Sequence, residues 1–160
     1  MKTFNRYKEF VKLTAIYPKS SKFENLNYLF LGLVEELCEF HELIDFDLNK
    51  LKKLKYNKAL EKELGDILWY LTASLIEIEA NEFKLLKKDV EIWKLITELS
   101  QTLLERSYED ILATFEHIFG WVDFVSNELG LGIDEIIETN TKKLESRMAR
   151  NTLKGSGNDR

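Results

Sequence analysis

One proline and seven glycines in 160 residues leave little material for turns, which disfavours a turn-rich β fold and points to long helices. The single cysteine, Cys38, excludes a disulfide framework and a cysteine-based zinc site. No apolar run approaches the ~18 residues of a membrane span, and the opening MKTFNRYKEF lacks the apolar core of a signal peptide. A cytoplasmic location with no membrane partner is therefore expected. Acidic residues modestly outnumber basic ones. Lys and Arg total 23 against 28 Asp and Glu, a formal charge of −5, which argues against nucleic acid held by bulk electrostatics. A small anionic substrate remains compatible, because bound metal ions reverse a local field.

The chain does have apolar residues at helical spacing. Phe4, Tyr7, Phe10, Val11 and Thr14 predict a first amphipathic helix over about 3–16, ended near Pro18. Ser21 and Glu24 offer a capping box that opens a second helix through about Ile44. Residues 46–55 are basic and weakly patterned, and Asn57 is the expected cap of a third helix over about 57–80. Val90, Trp93, Leu99 and Leu103 suggest a fourth helix, and Ser107 with Asp110 starts a fifth that runs to about Glu128. After the break at Gly130-Leu131-Gly132, a last helix occupies about 133–150. The expectation is a single all-α domain over residues 1–160.

Acids stand where apolar residues belong. Each residue turns about 100° around a helix axis, so Glu36 falls among Leu29, Leu33, Phe40 and Leu43, with Glu39 one turn on. On the third helix, Glu63 falls among Tyr56, Leu60, Ile67, Tyr70 and Leu71, and Asp66 follows one turn later. Each helix thus carries two inward acids at i, i+3, with Gly32 or Gly65 nearby for close approach or for room beside a ligand. Glu35 and Glu42 lie further round, towards solvent. A lone Glu-x-x-Glu is usually a solvated edge, but two such pairs at core-facing positions require cations. Hard oxygen donors suit Mg²⁺, with Mn²⁺ as a substitute. The Glu-x-x-His pairs of di-iron bundles are absent, since Cys38 precedes His41 and Thr114 precedes His117 at that spacing. The last helix places Asn140 within its apolar stripe, flanked by Lys143 and Arg147. Beside a carboxylate–metal cluster, an amide and two cations read as a polyphosphate clamp.

These segments resemble the MazG-like nucleotide pyrophosphohydrolases of the all-α NTP pyrophosphatase superfamily. The family's E-E-x-x-E and E-x-x-D stand here as Glu35-Glu36-Leu37-Cys38-Glu39 and Glu63-Leu64-Gly65-Asp66. NTKKLESR matches the following N-x-x-K-L-x-x-R through Asn140, Lys143 and Arg147, and LKGSGNDR is similar to an ending found in part of the family. The resemblance covers about 17–80 and 120–160. The family often has a small residue where Glu35 or Leu37 stands, and residues 81–118 look like an added helical segment.

The resemblance implies a four-helix core with additional helices, a homodimer or homotetramer, and hydrolysis of a nucleoside triphosphate to monophosphate and pyrophosphate. Glu36, Glu39, Glu63 and Asp66 are expected to hold Mg²⁺, and Glu36 or Glu35 to take the proton of the attacking water. Lys143, Arg147 and Arg160 are expected to neutralise the polyphosphate, with Asn140 orienting a phosphate or a metal ligand. Tyr28, Trp69 and Tyr70 are candidates to grip the base and sugar. Alternatives are a dUTPase-type or phosphoribosyl-ATP-type pyrophosphohydrolase, or a non-catalytic bundle that serves interaction or metal sensing.

Overall fold

A computed structural model of the protein describes residues 2–17, 21–53, 57–80, 84 and 91–153. Pro18, Tyr56, Val90 and the C-terminal stretch that ends in Arg160 lie outside the described residues. The described chain is the all-α bundle expected, with six α-helices and no strand. They are α1 (Lys2–Thr14), α2 (Lys22–Glu42), α3 (Lys58–Glu77), α4 (Ile92–Glu105), α5 (Tyr108–Glu128) and α6 (Ile133–Ala149). The basic stretch after α2 forms a short 3₁₀ helix, Leu48–Lys53.

Local chemistry sets the helix ends. The capping box of α2 forms as expected, with the Ser21 backbone N–H donating to Glu24 Oε2 at 3.0 Å and the Glu24 N–H to Ser21 Oγ at 3.4 Å. Asn57 caps α3 by accepting from the Ala59 N–H at 2.9 Å. Gly130 ends α5 with a φ of 72°, a conformation only glycine adopts without strain, while the Leu131 N–H turns back to the Ser126 carbonyl at 2.9 Å.

α3 is the central helix, packed against α1, α2, α5 and α6. Burial of Leu60, Leu64, Ile67, Leu68 and Leu71 along it supplies a continuous core with Leu29, Leu33 and Leu37 of α2 and Phe115, Val122 and Val125 of α5. α4 packs on α5 and α2. The segment read as an addition therefore contributes α4 and part of α5, a helix that touches α3 directly. On α3, Glu61 and Glu63 are buried and Asp66 and Glu77 are half-buried. That arrangement positions the site.

Candidate functional site

α2 and α3 bring Glu36, Glu39 and Glu63 together, with one carboxylate oxygen of each lying within 4.8 Å of the others. Glu63 is 5% exposed, and its Oε2 is buried with no hydrogen-bond partner. Its Oε1 lies 3.6 Å from the Lys62 ammonium. An ionised carboxylate oxygen left unpaired in a buried place is costly, so this atom calls for a proton or a cation. Glu36 shows the same pressure. Burial, then Asp66, Glu39 and Glu63, push its carboxyl up to about 9, against a pull downward from the Lys143 ammonium. Burial also raises Glu63, with Asp66 and Glu39 adding to the shift and Lys62 and Lys143 opposing it. Glu35 is exposed, as its place on the helix predicts.

Asp66, the fourth acid, is held differently. Its carboxylate accepts from the Lys143 ammonium, and its Oδ1 also accepts from Asn140 Nδ2 at 3.0 Å. Asn140 Oδ1 in turn accepts from the Tyr7 hydroxyl at 2.8 Å. The Tyr7 donation fixes the amide so that its NH₂ points at Asp66. Burial and the charge of Asp66 both raise the Tyr7 hydroxyl, which stays protonated and able to donate. Three helices thus support one carboxylate through the chain Tyr7 of α1, Asn140 and Lys143 of α6, and Asp66 of α3.

Of the expected ligands, the structure places Glu36, Glu39 and Glu63 in one group and Asp66 in an ion pair beside it. Of the expected clamp, Lys143 reaches the acids. Arg147 is half-buried one turn on, its guanidinium bonded to no described residue, and Arg160 lies outside the described residues.

The two glycines differ in use. A Cβ on Gly65 would lie 3.0 Å from both Cβ and Nδ2 of Asn140, so Gly65 allows α6 to approach closely enough for the Asn140–Asp66 bond. A Cβ on Gly32 would lie 2.2 Å from Cε1 of Tyr70. The space at Gly32, expected as room beside the ions, is filled by the Tyr70 ring. Burial and then the nearby Glu36 raise the Tyr70 hydroxyl well above its ordinary value. The other aromatic candidates are engaged in packing. Trp69 donates to Thr14 Oγ1 at 2.9 Å and meets Tyr70 edge-on, while Tyr28 stacks on Tyr17.

Sequence reasoning missed Tyr7, which reads as one more apolar position of α1. Nothing in local spacing links it to Asn140, 133 residues away. Comparison of the chain with known proteins finds no matching family model, no matching curated protein and no matching solved structure.

Proposed function

We propose that the protein is a Mg²⁺-dependent nucleoside triphosphate pyrophosphohydrolase of the MazG-like type. It would convert an NTP or dNTP to the monophosphate and pyrophosphate. The observation that carries the reading is Glu63 Oε2, buried without a partner inside a group of three carboxylates. Hard oxygen donors in that number fit a divalent cation, and the order of Glu35-Glu36-x-x-Glu39, Glu63-x-x-Asp66 and Asn140-x-x-Lys143 supports the hydrolase assignment.

Glu36, Glu39 and Glu63 would hold the cation, which supplies neutralisation of phosphate charge and a water of lowered pKa. The residues of the chain divide the remaining work. Glu36, ionised once the cation is held, would take the proton from the water as its oxygen bonds to the α-phosphorus. The bond from the α-phosphorus to the bridging oxygen breaks, and pyrophosphate leaves. Lys143, steadied by Asp66, faces the negative charge that builds on the phosphate oxygens. Asn140 and Tyr7 keep Asp66 in place throughout.

Replacement Glu63→Gln keeps the volume and removes the charge. Mg²⁺-dependent triphosphate turnover is expected to fall on the order of 100-fold or more, with the helical circular dichroism unchanged. Equal turnover by the variant and the wild type contradicts the reading. A chain that binds Mn²⁺ tightly through these acids yet turns over nothing is a metal-sensing bundle instead.

A further inference from the structure

Gly32 and Glu36 stand four residues apart on α2, so they share one face of the helix, with Cβ positions roughly 5–6 Å from each other. Side chains on a helix lean towards its N-terminus, which directs the Glu36 carboxyl back towards Gly32. Tyr70 of α3 approaches the same place from the other side. A Cβ on Gly32 would lie 2.2 Å from Cε1, 2.3 Å from Cζ and 2.7 Å from the hydroxyl oxygen of that ring. The hydroxyl end of Tyr70 therefore rests on the glycine, one helical turn from Glu36. Trp69 meets the ring edge-on with centroids 5.0 Å apart, and Tyr70 is 8% exposed, so the ring has little room to turn away.

Both groups are uncommitted. Neither the Tyr70 hydroxyl nor the Glu36 carboxyl is hydrogen-bonded to a described residue. The cations nearby are engaged elsewhere, Lys143 with Asp66 and Lys62 at 3.6 Å from Glu63. After burial, Glu36 is the group that raises the Tyr70 hydroxyl most, which keeps the phenol protonated and able to donate. A carboxylate that gives some of its lone pairs to a cation still needs donors for the others, and such supports hold a ligand in its orientation.

We infer that Tyr70 is the positioning residue of Glu36, its hydroxyl donating to the Glu36 carboxylate when a divalent cation holds that group ionised. Gly32 serves the same contact, because a Cβ there would displace the hydroxyl end of the ring. The inference rests on the cation reading of the acid cluster and not on the reaction that follows.

The test pairs calorimetric titration with Mn²⁺ and tyrosine ultraviolet difference spectra on addition of Mg²⁺, for the full chain and for Tyr70→Phe. The wild type is expected to bind Mn²⁺ and to give a red-shifted tyrosine signal with Mg²⁺, because a phenol that donates to a carboxylate absorbs at longer wavelength. Tyr70→Phe keeps the ring, and circular dichroism checks its helices. It is expected to bind Mn²⁺ at least about tenfold more weakly and to lose the difference signal. A role in packing alone gives no metal-induced signal that depends on Tyr70. Equal Mn²⁺ affinity in the two proteins, or a signal that survives in Tyr70→Phe, overturns the assignment. Glu63→Gln separates this outcome from the cation reading: binding by the wild type that Glu63→Gln abolishes keeps the cation in the cluster whatever Tyr70 does. A wild type that binds no Mn²⁺ overturns both.

Discussion

Glu36 concentrates the chemistry of the site in one titration. Its carboxyl is pushed up from an ordinary 4.5 to about 9, first by burial and then by Asp66, Glu39 and Glu63, with Lys143 pulling the other way. Between those two values the unfolded chain has released the proton and the folded chain still holds it. The folded state then binds more protons, so the contribution of Glu36 makes stability fall as pH rises through that window. A divalent cation reverses this, because it favours the ionised carboxylate and expels the proton on binding. The melting temperature of the metal-free protein is therefore expected to fall between about pH 5.5 and about pH 8.5. Added Mn²⁺ is expected to raise it more at the higher pH. A Mn²⁺ shift of the same size at both pH values contradicts the assignment of Glu36 as a ligand. The position of Glu36 was legible in the sequence, since its place in the apolar stripe of α2 follows from helical spacing. The split between Asp66 and the other three acids was not legible, because Lys143 and Asn140 arrive from a helix more than 70 residues away.

Elements explain why that split is stable. α1 reaches α6 through Tyr7, and α6 reaches α3 through Asn140 and Lys143, so one carboxylate is held by three helices. Tyr7→Phe keeps the ring and strands Asn140 Oδ1 in a buried place. The expected cost is roughly 1–3 kcal/mol of stability by denaturant unfolding. Unchanged stability would show that the Tyr7–Asn140 bond bears no weight. The helices themselves were readable from apolar spacing and caps, with Ser21-x-x-Glu24 and Asn57 serving as the sequence predicts. Of the two uses the sequence offered for Gly32, close approach is the one the structure shows, and not room beside a ligand. A glycine announces close approach but not what approaches, and here it is the Tyr70 ring and not an ion.

At the scale of the whole molecule, a chain of net negative charge gathers an acid cluster between α2 and α3. Net charge alone suggests a protein that repels polyanions. A cation held by these acids, as proposed, would reverse that field locally and let a phosphate chain approach. No described helix is long and apolar enough to cross a membrane. The central claim is that this arrangement cleaves nucleoside triphosphates between the α- and β-phosphates. Its most direct test is release of pyrophosphate from each common ribo- and deoxyribonucleoside triphosphate, measured with and without Mg²⁺. The account predicts pyrophosphate and the matching monophosphate in equal amounts from at least one of them, only when Mg²⁺ is present. A folded protein that releases pyrophosphate from none of them contradicts it.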